Sequence, residues 1–231
     1  MKDTHFTPEQ NKIWKLLFDQ QSKLLRVHGC RMFWESFPLI DFPSDRIPTI
    51  AELNAKITPM TGWKTERTSI RYSSAAQWYT LFGQRIFPVT DFVRSQTELD
   101  FTPEPDVFHD TFGHLALFML PRFTQFAQIF APAFLRARTI EEQENVKRLA
   151  WFSYEFGVQL EKGKPKAFGA GLISSSAELT KVVSGKMKLL PFTVENVLAR
   201  DKVIWNLHDT LFTFTDLDDL QVEIESYLET V

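Results

Sequence analysis

Along most of the chain, apolar residues recur at the three- and four-residue spacing of helices, so a mostly α protein is expected. Ile13, Trp14, Leu17, Leu24 and Leu25 form one face of a first helix, opened by the capping box Thr7-Pro8-Glu9-Gln10 and stopped at Gly29. A proline-rich stretch from Phe37 to Pro48 reads as a covering loop, followed by helices over Thr49 to Lys56 and Ser73 to Phe82. Thr139-Ile140-Glu141-Glu142 caps a long helix expected to reach about Glu161, with Gly163 and Pro165 beyond it, and Glu155 lies well inside that length. Ser175-Ser176-Ala177-Glu178 has the form of another cap. Leu211-Phe212-Thr213-Phe214 reads as a short strand, and Thr215-Asp216-Leu217-Asp218 caps a last helix bearing Leu217, Leu220, Ile224 and Leu228. No repeat or low-complexity tract interrupts the pattern. One domain over residues 1–231 is expected, with 1–45 as N-terminal helix and covering loop and 46–231 as the core.

Composition narrows the function classes. With 231 residues, 44% of them hydrophobic and 24% charged, the chain suits a single soluble core. A net charge of −3 gives no electrostatic case for nucleic acid or an anionic membrane. No apolar run is long enough for a membrane span, and Met1-Lys2-Asp3-Thr4-His5 leads into an amphipathic segment rather than a signal peptide. The single cysteine, Cys30, excludes an intrachain disulfide and suits a cytoplasmic location. Phenylalanine occurs 22 times, which reads as core packing rather than as a link to a substrate.

The informative polar residues are few. Two of the five histidines, His109 and His114, sit five apart in Pro105-Asp106-Val107-Phe108-His109-Asp110-Thr111-Phe112-Gly113-His114, and Glu155 lies in Trp151-Phe152-Ser153-Tyr154-Glu155-Phe156-Gly157. Two imidazoles and a carboxylate form the ligand set of a facial-triad iron site, which leaves the opposite positions open. Residues five apart point roughly 140° away from each other on a straight α-helix, so both histidines meet one ion only if the helix is distorted. Gly113 offers backbone freedom for that. The apolar flanks make a buried, unpartnered His or Glu costly. On residue types alone, a zinc hydrolase using the same three ligands and a non-catalytic helical binding protein remain open.

The two motifs, with Phe87-Pro88-Val89-Thr90-Asp91-Phe92-Val93-Arg94 before them and Lys166-Ala167-Phe168-Gly169-Ala170-Gly171-Leu172-Ile173-Ser174-Ser175 after, resemble the tetrahydropterin-dependent aromatic amino acid hydroxylases, above all the short bacterial phenylalanine hydroxylases. The likeness runs from about Ile47 to the last helix. It implies a single catalytic domain of packed helices with a few short strands, a monomer without the regulatory and tetramerisation segments of animal members. It implies Fe(II) on His109, His114 and Glu155, a tetrahydrobiopterin-like reductant, dioxygen as cosubstrate, and ring hydroxylation of a free aromatic amino acid, phenylalanine to tyrosine before tyrosine or tryptophan. It further implies that Arg94, oriented by Asp106, takes the substrate carboxylate, with Thr102 and Ser174 nearby and Ser174 also behind the first histidine. Trp151 would wall the side chain, and Trp78 and Asp110 would meet the pterin. Two departures stand out: the loop after Thr61-Gly62-Trp63 has no glycine through Tyr72, and Ala150 replaces a tyrosine of animal members. A different reductant on the same iron site is the alternative those departures leave.

Overall fold

The computed structural model describes residues 5–70, 74–102, 104–202 and 206–231. Helices dominate it: α1 (Pro8–His28), α2 (Arg31–Ile40), α3 (Ile50–Thr61), α4 (Ala75–Gly83), α5 (Pro121–Gln128), α6 (Phe130–Arg136), α7 (Ile140–Ala150), α8 (Ala170–Ser174), α9 (Ser176–Val183), α10 (Val194–Leu198) and α11 (Leu217–Leu228). Two parallel strands, β1 (Lys64–Thr68) and β2 (Ile86–Thr90), form a small ladder. A second sheet has the order β4-β3-β6-β5, from β3 (Val158–Glu161), β4 (Lys164–Ala167), β5 (Lys188–Pro191) and β6 (Thr210–Phe214). The mostly α architecture is as the periodicity predicts. Among the described residues, no helix is long and apolar enough to cross a membrane.

The N-terminal segment belongs to the core. The Thr7 hydroxyl and Gln10 side chain close the expected capping box, and α1 buries Trp14, Leu17 and Leu25. Trp14 meets Phe108 at 5.2 Å, and Phe18 and Phe37 meet Phe112 at 5.5 and 5.3 Å, all edge-on. Phe108 and Phe112 stack on each other at 4.6 Å. These rings clamp α1 and α2 onto the segment carrying both histidines, each aromatic pair contributing roughly 0.5–1.5 kcal/mol beyond its buried area. The abundant phenylalanine is thus core, as expected.

Three element boundaries depart from the sequence reading. The helix from Thr139 does not reach Glu161: it stays α-helical to Ala150, continues as a π-helical turn over Trp151–Glu155, and gives way to the β3–β4 hairpin. Lys162 and Gly163, both at positive φ, make the tight turn whose charged flanks imitate helix surface. Glu155 is therefore the last helical residue rather than an interior one. The stretch from Phe37 to Pro48 is only partly loop, because α2 runs to Ile40 with Pro38 inside its last turn, and α3 likewise passes Lys56 to Thr61 across Pro59. A proline in a helix costs ~3 kcal/mol, and burial of Met32, Phe33 and Ile40 on α2 and of Leu53 and Ile57 on α3 offsets it. The helix expected from Ser73 spans Ala75–Gly83 with Ser74 as its cap, and Ser73 lies outside the described residues.

Candidate metal centre and substrate cavity

Asp106 starts the site. Its Oδ1 accepts the His109 main-chain N–H at 3.0 Å, capping the turn that follows. From His109 to His114 the chain is a π-helix. Hydrogen bonding from i to i+5 puts residues five apart on one face, which a straight α-helix does not. His109 and His114 consequently converge, with Nε2 atoms 3.1 Å apart. A second π-helical turn carries Glu155 to them, Oε1 lying 3.1 Å from His109 Nε2 and Oε2 3.0 Å from His114 Nε2. Among the described residues, these three form the group whose ligand atoms lie close enough together to hold one metal ion.

The distortion does not come from backbone freedom at Gly113, whose φ is not positive. Its hydrogen instead admits a neighbour: a Cβ there would sit 2.8 Å from the Ala170 carbonyl oxygen and 3.1 Å from Ser174 Cβ. Gly169 plays a similar part on the other ligand, since a Cβ would lie 2.4 Å from the Glu155 carbonyl oxygen. Gly113→Ala tests this. Helix propensity alone would favour alanine by about 1 kcal/mol, but overpacking against a backbone carbonyl costs about 1–3 kcal/mol. The expected net result is a lower melting temperature together with weaker iron retention, because Ser174 must move.

Ser174 sets the tautomer of His109. Its hydroxyl donates to the Ala170 carbonyl at 2.8 Å, so it accepts from His109 Nδ1–H at 2.9 Å. The lone pair of His109 Nε2 then faces the Glu155 carboxylate, and His114 Nδ1 is buried with no hydrogen-bond partner among the described residues. Such a cluster calls for a positive charge at its centre. Without a metal, burial disfavours charge on His109, but Glu155 outweighs burial and raises its pKa; at His114 burial prevails and the pKa falls. Burial likewise opposes charge on Glu155, and the two imidazoles overcome it, holding the carboxyl below the usual range. Two neutral imidazoles and a carboxylate converging at about 3 Å fit a divalent ion of the iron type.

The centre opens into a cavity of about 460 Å³, within the ordinary range for small-ligand sites. Arg94, Thr102, Trp151, Ser174, Trp78 and Asp110 all line it, as do His109, His114 and Glu155. Asp106 does not. It stands behind Arg94, fully buried, taking Nε on Oδ2 and Nη2 on Oδ1 at 2.8 Å each. Burial works against this carboxylate, and Arg94 more than compensates, lowering its pKa. The Thr102 hydroxyl donates to the Glu104 carbonyl at 3.1 Å. Trp78 stacks on Phe82 at 4.2 Å, and Asp110 accepts the Thr90 N–H at 2.7 Å, its pKa pushed up to about 7 by burial.

Among the lining residues to which sequence reasoning gives no role are Glu178 and His208, which pair with each other. Ser175 caps α9 by accepting from the Glu178 N–H, but the Glu178 side chain turns away from the cap to pair with His208. A glutamate at that position reads as ordinary capping chemistry, and nothing local marks His208.

Compared with known proteins, residues 1–231 match the family described as biopterin-dependent aromatic amino acid hydroxylase. The chain is similar to phenylalanine-4-hydroxylase of Mesorhizobium japonicum, 32% identical over 222 residues, which cover 95% of this chain and 80% of that protein. It is 30% identical to tryptophan 5-hydroxylase of Xenopus laevis across 98% of this chain and 47% of that one. A crystal structure of Chromobacterium violaceum phenylalanine hydroxylase with bound iron(III) and 7,8-dihydrobiopterin matches with a TM-score of 0.90 at 27% identity, covering 98% of this chain and 82% of that one.

Proposed function

Since the chain belongs to the biopterin-dependent aromatic amino acid hydroxylases, we propose that it hydroxylates free phenylalanine to tyrosine at an iron held by His109, His114 and Glu155. One observation carries this reading: the three converging ligand atoms open onto the same cavity as a buried arginine and an aromatic wall. Bound there, iron(II) and a tetrahydropterin would supply dioxygen activation and the two electrons that adding one oxygen atom to the ring requires.

The chain's own residues bind and orient. Arg94 spends Nε and Nη2 on Asp106, which leaves the Nη1 edge of a rigid fork for the amino acid carboxylate. Thr102 and Ser174 flank that position, and Ser174 also keeps the His109 Nε2 lone pair directed at the metal. Trp151, packed on Phe156 at 4.9 Å, walls the ring of the substrate. Its resemblance to the tryptophan of phenylalanine-type members supports phenylalanine over tryptophan, a choice that 32% and 30% identity to the two kinds of relative do not make. Trp78 and Asp110 receive the pterin. Residues 1–231 act as one catalytic unit in which the N-terminal helix and loop pack into the core, supported by the aromatic clamp on Phe108 and Phe112. The same reading has the protein working as a monomer in the cytoplasm, where its one cysteine, buried Cys30, suits reducing conditions.

The test is metal analysis of anaerobically purified protein, then oxygen uptake with phenylalanine, tyrosine or tryptophan, with and without a tetrahydropterin. Bound iron is expected, with tyrosine formed in step with pterin consumed and neither ascorbate nor 2-oxoglutarate substituting. Zinc without oxygen uptake would return the hydrolase reading, and full product without pterin would mean another reductant. Trp78→Ala should weaken pterin affinity by about 1–3 kcal/mol, by analogy with aromatic stacking on nucleobases, with iron content unchanged.

A further inference from the structure

His208 and Glu178, both with side chains 2% exposed, stand beside Trp151. Glu178 Oε1 accepts the His208 main-chain N–H at 2.9 Å and faces Nδ1 of the same residue at 2.8 Å. Lys181 Nζ donates to the His208 carbonyl oxygen. All three contacts come from α9, so a loop residue is clamped to a helix. On the other edge of the ring, Trp151 Nε1 donates to His208 Nε2 at 3.0 Å. An indole N–H can only donate. Nε2 therefore carries the lone pair, and the ring proton sits on Nδ1, pointing at the carboxylate. The result is a directed chain, Trp151 to His208 to Glu178, that ends on a buried carboxyl group, each bond polarising the next.

We propose that His208 is a positioning residue for the aromatic substrate: backed by Glu178, its Nε2 fixes the rotation of the Trp151 indole and so sets the wall against which the amino acid ring is held. Trp151 needs such a fix because it is only partly buried and lies in the π-helical turn that ends at Glu155. Rotation away from His208 would strip the indole N–H of its acceptor, at a cost in desolvation. Rotation the other way is limited by Phe156, whose ring lies 4.2 Å from that of His208 and 4.9 Å from that of Trp151. Trp151 stands four positions before Glu155 in the same turn, so a tilted indole shifts the substrate ring relative to the metal. A displacement of about 1 Å can cost about 10²-fold in rate.

The proposal rests on the cavity being the aromatic amino acid site, and the experiment separates the two. The iron-loaded protein is compared as wild type, His208→Leu, His208→Gln, Trp151→Phe and the double variant Trp151→Phe/His208→Leu. The readouts are L-phenylalanine binding by calorimetry without pterin, and tyrosine formed per tetrahydropterin oxidised. Two of the three anchors from α9 use His208 main-chain atoms and survive every substitution, so loop anchoring is held nearly constant. Glutamine can still accept from the indole and donate to Glu178; leucine can do neither. His208→Leu is expected to weaken phenylalanine binding about five- to tenfold, the scale of one lost hydrogen bond, and to lower product per pterin, with iron content unchanged. His208→Gln should restore most of both. In the Trp151→Phe background, which has no N–H to hold, leucine at 208 should add less than about twofold. Wild-type binding and coupling in His208→Leu, or an undiminished loss in the Trp151→Phe background, would overturn the positioning role alone. A wild-type protein that neither binds nor hydroxylates phenylalanine would take the substrate reading down with it.

Discussion

Alanine at His109, His114 or Glu155 is expected to abolish hydroxylation and strip iron from the anaerobically purified protein, while far-ultraviolet circular dichroism stays close to wild type. The magnitude follows from the geometry. Losing an outer partner of a ligand typically costs about 10–100-fold in metal affinity, so losing a ligand from a three-residue set sets that as a floor. Ser174→Ala supplies the graded control. It removes the acceptor of His109 Nδ1–H, along with the bond to the Ala170 carbonyl, and leaves all three ligands in place, so it should lower iron affinity by about that 10–100-fold without eliminating it at saturating metal. Helical content should survive because the π-helical turn is held from behind by Phe108 and Phe112 and by the Asp106 cap, none of which needs the metal. Elemental analysis and tyrosine formation read the result. Normal iron content and turnover in any one of the alanine variants would remove that residue from the centre.

The ligand set was legible in the sequence because chemistry narrows it sharply: few histidines, no thiolate cluster, and carboxylates rare among aromatic neighbours. The way the histidines converge was only half legible. Five-residue spacing demands a distortion, but that it is a full π-helical turn depends on α8 pressing against Gly113, a tertiary fact. Sequence alone carries the helix from Thr139 to about Glu161, because Gly163 and Pro165 read as its terminators, and so puts Glu155 inside it. The hairpin wins because Val158 and Ala167 are buried in a sheet completed by β6, from far along the chain. The prolines of α2 and α3 read as loop because local propensity carries no information on the buried face that outweighs them. Glu178 and His208 were invisible for the same reason, since their pairing closes thirty residues of chain and neither end carries a local signal. What the sequence announces is residue type at a motif; what it conceals is any partner chosen by the fold.

Arg94→Lys is expected to raise the Michaelis constant for phenylalanine about 10–100-fold, the loss of one to two charge-assisted hydrogen bonds, with iron retained. Lysine keeps the charge but not the fork. Its single ammonium must serve Asp106, which is fully buried and otherwise left with an uncompensated charge, and little remains to meet a second carboxylate. Iron should stay because Asp106 still caps the His109 turn through its own Oδ1. Arg94→Ala would be a poorer probe. Breaking a buried pair by removing one partner costs about 3–5 kcal/mol, and a protein destabilised to that degree loses binding for reasons unrelated to the substrate. The discriminating comparison uses phenethylamine, which lacks the carboxylate. If the Nη1 edge of Arg94 grips that group, wild type binds the amine far more weakly than phenylalanine, and Arg94→Lys loses almost nothing further on the amine. Equal losses on both ligands would mean that lysine has disturbed the cavity as a whole, and an unchanged affinity for phenylalanine would take the guanidinium out of the site.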